Sequence, residues 1–296
     1  MSERNARRAI PPAPESEDVR MNRNVMSGGT AFIALLALTA ACGGSSTGDG
    51  TPAPSGGTAD QPATLAVATD ARLGNHLVDG SGRSLYYFAK DVPGSGTQAA
   101  VSNCDASCLP IWPIFFNADG VVAQGIDATD VGQIARSDGS TQTTYKGFPL
   151  YYYAGDTAPG DTRGEGVDGI WFVVHEPSYS IALLSKPNES ASYLTDGDGR
   201  TLYSFSLDTV GTPTAAPVTA CTSDQCTTSW PIFETDQVTV PSDLVAADFT
   251  VYTRADGMQQ SAYKGHPLYH YVGDTAPGQT NGRGIPGWQT IDPTAL

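Results

Sequence analysis

The strongest constraint on this chain is that it repeats itself. Tyr151-Tyr-Tyr-Ala-Gly-Asp-Thr-Ala-Pro-Gly160 returns as Tyr269-His-Tyr-Val-Gly-Asp-Thr-Ala-Pro-Gly278, 118 residues further on. Arg136-Ser-Asp-Gly139 returns as Arg254-Ala-Asp-Gly257, and Tyr145-Lys-Gly-Phe-Pro-Leu150 as Tyr263-Lys-Gly-His-Pro-Leu268. A finer period lies inside this one. The four tryptophans, Trp112, Trp171, Trp230 and Trp288, are spaced by 59, 59 and 58 residues. Self-similarity at a fixed period makes each unit a supersecondary element that buries its apolar face against its neighbours. The chain is therefore expected to hold copy 1 over residues 64–177 and copy 2 over 178–296, each made of two halves.

Each half contains one Tyr-x-aromatic-x-x-Asp element: Tyr86/Phe88/Asp91, Tyr151/Tyr153/Asp156, Tyr203/Phe205/Asp208 and Tyr269/Tyr271/Asp274. In a strand, residues two apart share a face. The Tyr and the second aromatic therefore point one way, which predicts a packed face. The position between them varies (Tyr87, Tyr152, Ser204, His270) and is expected to meet solvent or a ligand. The Asp follows the strand, where its carboxylate suits backbone N–H groups in a turn. That makes the element structural; its ligand-facing alternative is a ring of tyrosines and carboxylates binding a sugar or a cation.

The rest of each half reads as strands. In the second half they are 132–136, 141–145, 150–153 and 170–174; in the first, 65–68, 76–78, 84–88 and 111–115. Asp-Gly between alternating segments is a strong hairpin signal. With 33 Gly, 21 Pro and only 16% charged residues, the composition excludes a helical bundle or coiled coil, and 9% aromatics exclude a disordered chain. The expected fold is all-β: four four-stranded meander units in two tandem copies, with a propeller-like ring favoured. Two tandem β-barrels or sandwiches are the alternative.

The N-terminal 42 residues read as an address. Arg20 and Arg23 precede the apolar run 31–41, which ends at Ala40, Ala41 and Cys42. Eleven residues span about 16 Å as a helix, half a bilayer core, so the run suits a secretory signal better than a membrane anchor. Met21 opens a conventional signal and is the candidate true start. Leu-Thr-Ala-Ala-Cys resembles a bacterial lipoprotein signal, with Cys42 lipidated, although Leu38 stands one place further from the Cys than usual. Residues 43–63, rich in Gly, Ser, Pro and Thr, read as a tether with a reach of about 25 Å. The other Cys form two close pairs, Cys104/Cys108 and Cys221/Cys226, and an exported chain makes them disulfides.

Together, the lipoprotein signal, the tandem units, the Tyr-x-(Phe/Trp/Tyr)-x-x-Asp element, the Cys pair before Trp-Pro and Arg-x-Asp-Gly…Gly-x-Pro-Leu-Tyr resemble the bacterial secreted-repeat lipoproteins. The resemblance covers nearly all of residues 64–292. It implies an envelope location and brings no substrate, cofactor or catalytic residue.

Function is narrowed mainly by exclusion. A net charge of −15 excludes a nucleic-acid partner, because a phosphate backbone would be repelled. The four His (His76, His175, His266, His270) do not follow a Cys pair, and no nucleophile has an evident His partner. Gly164-Glu-Gly166 and Gly282-Arg-Gly284 lack the setting of a phosphate loop, and Asp196-Gly-Asp-Gly-Arg200 reads as a hairpin turn rather than a calcium loop. No catalytic residue, metal or cofactor is assigned. The expectation is a non-enzymatic scaffold, lipid-anchored through Cys42 to the cell envelope. That means the outer membrane in a Gram-negative cell and the outer face of the cytoplasmic membrane otherwise. Its partner would be an envelope protein or a glycan. The alternatives are a redox accessory using the Cys pairs or tyrosines, and a glycan-active protein.

Overall fold

The computed structural model describes residues 64–296, apart from 97, 119, 120 and 122. The leader, Cys42 and the tether lie outside the described residues. Short strands dominate. Copy 1 contains β1 (Leu65–Asp70), β2 (Gly74–Asp79), β3 (Tyr86–Phe88), β4 (Ala123–Gln124), β5 (Val131–Ala135), β6 (Thr141–Tyr145), β7 (Phe148–Pro149) and β8 (Trp171–Val173). Copy 2 contains β9 (Ile181–Ser185), β10 (Ser192–Asp196), β11 (Tyr203–Phe205), β12 (Phe249–Thr253), β13 (Gln259–Tyr263), β14 (His266–Pro267) and β15 (Trp288–Thr290), with one short helix, α1 (Asp224–Ser229).

Turn chemistry makes the hairpins. Between β5 and β6, Asp138 Oδ1 accepts the Ser140 N–H at 2.9 Å and Gly139 takes φ 84°. Between β6 and β7, Lys146 (φ 46°) and Gly147 (φ 82°) form the left-handed pair of a tight two-residue turn. Gly147 is required twice over. A Cβ there would lie 2.2 Å from the Gly94 carbonyl oxygen, and the same approach recurs at 2.4 Å between Gly265 and Gly211.

The four-stranded meanders do not form. The strands make sheets of two or three, and among the described residues no closed barrel and no ring of four blades appears in the pairing. The reason is an exchange between halves. The Trp strand of the second half, β8, pairs with the Tyr strand of the first, β3, in the register Tyr86↔Val173 and Phe88↔Trp171. Reciprocally, Ile114 of the first half bridges to Tyr151 of the second. At the centre, Tyr86 and Tyr151 exchange both backbone hydrogen bonds, each at 2.9 Å, as do Tyr203 and Tyr269 at 2.8 and 3.0 Å. The expected strand over 111–115 reduces to the bridge at Ile114, since Pro113 has no N–H to donate to a ladder. The expected strand over 150–153 likewise reduces to β7 and the bridge at Tyr151.

Three-way hydrogen-bond closures lock three of the four exchanged strands. Leu77 donates to Val174, Val174 to Leu85, and Leu85 to Leu77, at 2.8, 3.0 and 2.9 Å. Thr143, Phe115 and Leu150 repeat the circuit, and so do Ser261, Phe233 and Leu268. One apolar core runs through both copies, from Leu65, Leu85, Leu150 and Phe172 to Leu183, Tyr193, Leu202, Leu268 and Ile291. Two smaller clusters surround the tryptophans, one per copy.

Candidate functional site

The Tyr-x-aromatic-x-x-Asp elements meet in pairs. Within copy 1, Tyr86 donates its phenolic hydrogen to Asp156 Oδ2 at 2.7 Å and Tyr151 donates to Asp91 Oδ2 at 2.7 Å. Copy 2 repeats the crossing, Tyr203 to Asp274 at 2.6 Å and Tyr269 to Asp208 at 2.9 Å. Each Tyr therefore uses the Asp of the other half. The second carboxylate oxygen accepts a backbone N–H at a turn: from Asn103, Arg163, Ala220 and Asn281, for Asp91, Asp156, Asp208 and Asp274 in that order. Burial pushes all four carboxyls upward from their ordinary value, Asp91 to about 7, because a charge in a low-dielectric interior loses hydration. The same burial raises the four phenols.

The third position of each element builds a stack of four rings. Phe88 lies on Trp171 (centroids 4.2 Å apart), Trp171 on Trp112 (3.8 Å, planes 3° apart), and Trp112 against Tyr153 (4.5 Å). Tyr86 and Tyr151 stand edge-on to Trp112 and Trp171 at 5.5 and 5.2 Å, an arrangement aromatic quadrupoles favour. Phe205, Trp288, Trp230 and Tyr271 form the matching stack, with spacings of 4.4, 3.7 and 4.4 Å. Gly164 and Gly282 belong to this packing. A Cβ at either would meet a Tyr ring and a Trp edge at 2.8–2.9 Å, and each N–H donates to the Tyr86 or Tyr203 oxygen at 3.2 Å.

The variable position was expected at the surface, and the structure corrects this. Tyr87, Ser204 and His270 are buried and Tyr152 is half-buried, because the partner half covers the second face. Tyr152 donates to Asp79 at 2.9 Å beneath the Arg83 guanidinium. In copy 2 His270 Nε2 lies 3.4 Å from Asp196. Burial pushes the His270 imidazole down to about 4 and the Asp196 carboxyl up to about 6.

Both Cys pairs are disulfides, Cys104–Cys108 and Cys221–Cys226. Sequence reasoning missed what docks them. Arg136 donates to the Cys104 carbonyl, to Ser102 and to Gln142 at 2.5, 2.5 and 2.7 Å. Arg254 donates to the Cys221 carbonyl and Gln260 at 3.0 and 2.9 Å. The repeated Arg-x-Asp-Gly was the available signal, since Asp138 and Asp256 pair with these guanidiniums. Asp196 Oδ1 accepts the Asp198 and Arg200 N–H groups, closing a hairpin turn. No group of three or more potential metal ligands occurs among the described residues.

Open space lies elsewhere, and it too repeats. A groove of about 380 Å³ in copy 1 runs between arm residues 94–96 and 98–100 on one side and 129–134 on the other, with Lys146 and Gly147 on its wall. Copy 2 has a groove of about 590 Å³ at matching positions, between Gly211–Pro217 and Asp248–Tyr252, with Lys264 and Gly265. β5 and β12 are edge strands of their sheets. Arg136 donates to Ser140 and Lys146 to Asp130, which sets the hairpin parity. Gly132 and Ile134 thus turn their backbone groups to β6, while Gln133 and Ala135 turn theirs outward. By the same parity Val251 and Thr253 face outward in copy 2.

No helix among the described residues is long and apolar enough to cross a membrane. No curated protein and no solved structure matches the chain. A family model described as a secreted repeat of unknown function matches three times, over residues 67–115, 132–175 and 250–290. Each match covers one half of a copy. The half carrying Tyr203, Asp208 and Trp230 lies outside the matches, yet it makes the same crossed contacts. Three stretches of the chain thus match the secreted repeat of unknown function, a description that points to an exported protein, and the repeats are clasped in pairs.

Proposed function

We propose that this protein is a non-enzymatic envelope scaffold, tethered through a lipid on Cys42, whose two 118-residue copies fold as one body and hold an extended polypeptide in equivalent grooves. The recurrence of the groove carries the reading. Gly94/Gly211, Asp130/Asp248, Lys146/Lys264 and Gly147/Gly265 occupy the same places in both linings. Small residues along the arm leave room for a backbone, and an unpaired sheet edge supplies the hydrogen bonds of strand addition. The charged groups of the repeat element are by contrast used up inside the clasps.

Strand addition has a direct test. Proline at Gln133 and Val251 removes outward N–H groups that make no bond to the neighbouring strand, so the fold tolerates it. A photo-crosslinker placed in living cells at Gly96 and, separately, at Thr214 should trap the same exported polypeptide. Gln133→Pro with Val251→Pro should reduce both crosslinks at least tenfold at unchanged protein level. Crosslinks that persist in the proline variant, or that trap only glycan, would refute the reading.

A further inference from the structure

Packing explains why aromatic rings fill the two small clusters, but it does not explain what is attached to them. A buried carboxylate gives up its hydration, and an apolar pair of similar volume would hold a core as well or better. Nevertheless all four halves keep a phenol aimed at a carboxylate at 2.6–2.9 Å, against the edge of a tryptophan. The two tryptophans of each copy overlap face to face at 3.8 and 3.7 Å. Phe88 and Tyr153, or Phe205 and Tyr271, extend the stack at its ends. Tyr153 and Tyr271 are half-buried, so each stack reaches the surface through a phenol.

These parts match the requirements of one-electron oxidation of tyrosine. Removing an electron makes a phenol strongly acidic, so the oxidation proceeds readily only where a base already holds the hydroxyl proton. A buried carboxylate accepting that hydrogen bond is such a base, and its raised affinity for protons strengthens it. Overlapping indoles within 4 Å of each other carry the electron between the surface ring and the buried phenol.

We propose that each clasped core is a proton-coupled one-electron sink for small oxygen-centred radicals that reach Tyr153 or Tyr271. The oxidant gains one electron, becomes its anion and takes a proton from water. The electron comes, through the tryptophan pair, from Tyr86 or Tyr151 in copy 1 and from Tyr203 or Tyr269 in copy 2. That tyrosine becomes a neutral phenoxyl radical, and its proton passes to Asp156, Asp91, Asp274 or Asp208. Charge and atoms balance when the departing electron is counted: phenol and carboxylate become phenoxyl, carboxylic acid and the one electron that the oxidant takes.

The test uses the full chain in detergent with a photogenerated ruthenium(III) tris-bipyridyl oxidant, freeze-trapped for electron paramagnetic resonance. A tyrosyl signal that narrows with ring-deuterated tyrosine is expected. It should fall at least tenfold, with the spin moving to tryptophan, when Tyr86, Tyr151, Tyr203 and Tyr269 are all changed to Phe. Because that variant is severe, the unmutated protein carries the second readout. There the phenoxyl oxygen should show one strongly coupled, exchangeable proton of fixed geometry, donated by the protonated aspartate. A tyrosyl signal unchanged in the fourfold variant, or a phenoxyl lacking that fixed proton, would overturn the proposal. So would oxidation that stops at tryptophan in the unmutated chain.

Discussion

In copy 1 Tyr152 is bonded to Asp79 at 2.9 Å and covered by Arg83; in copy 2 the same place holds His270, 3.4 Å from Asp196. Phe148 on one side likewise becomes His266 on the other. The crossed Tyr–Asp bonds, in contrast, are 2.7 and 2.7 Å in copy 1 and 2.6 and 2.9 Å in copy 2, and the indole pairs agree within 0.1 Å. The two copies differ even where side chains meet across the halves, since Phe148 against Tyr87 is replaced by His266 and Ser204. They do not change at the crossed Tyr–Asp bonds and the indole pairs. The clasp is a joint with two matched surfaces, and altering one surface leaves an unpaired group in the other.

The largest effect that tests this equivalence is loss of a stacked indole. Trp171→Ala and Trp288→Ala should each cost about 3–5 kcal/mol in urea unfolding, the range for deleting a buried aromatic. Costs differing by more than about 2 kcal/mol would show that the copies are not mechanically equivalent. Removing one phenolic hydroxyl comes next. Tyr86→Phe and Tyr203→Phe leave Asp156 and Asp274 with one donor fewer in a buried setting, and each should cost about 1.5–3 kcal/mol. A negligible loss in both would mean the crossed bonds do not hold the halves together.

The difference at Tyr152 and His270 gives a pH test. Burial lowers the His270 pKa to about 4, so its contribution to stability is present above the unfolded value near 6.5 and is lost as pH falls toward 4. Asp196, raised to about 6, contributes in the opposite sense, gaining as pH falls through the same window. His270→Tyr, which gives copy 2 the residue of copy 1, removes only the first contribution. The variant should gain on the order of 1–2 kcal/mol over the unmutated protein between pH 6.5 and 4. An unchanged pH profile would show that the imidazole titrates freely in the folded chain.

The smallest effect concerns a group with no counterpart in copy 2. The Tyr87 hydroxyl is buried and, among the described residues, makes no well-formed hydrogen bond, only a weak contact to the Leu183 backbone, and Ser204 occupies the matching position. Tyr87→Phe removes a poorly satisfied polar group at nearly constant volume and should leave stability unchanged or raise it by up to about 1 kcal/mol. A clear loss would reveal a partner for that hydroxyl.

Much of this was legible before the fold was known, and the limit falls at a definite place. The even tryptophan spacing identified the halves, Asp-Gly and Lys-Gly marked turns that exist, and the close Cys pairs are bonded. Each of these signals is local. What alternation along Tyr86–Phe88 does not reveal is which strand lies alongside, since pairing partners are set by contacts far apart in the chain. Hence the pattern assigns the Trp strands to their own halves and turns Tyr87 toward solvent or a ligand. The β8 strand pairs alongside from 85 residues further on (Tyr87↔Phe172) and Phe148 packs on the Tyr87 ring, and no pattern within either segment announces them.

The crossed clasp has a consequence for how such a chain comes apart. In a two-fold interface residue i of one subunit meets residue j of the other, and j meets i. Tyr86 with Asp156 and Asp91 with Tyr151 obey that relation inside a single polypeptide. Each copy is in this sense a dimer whose subunits happen to share a backbone, and in copy 1 the chain that follows Phe116 is the covalent link between them. Such a link sets the local concentration of the halves but does not define their interface. A chain cut there is expected to keep its clasps, and two separate halves mixed in solution to re-form them; size-exclusion of the mixture checks this, and halves that elute apart would show that the link itself holds the interface.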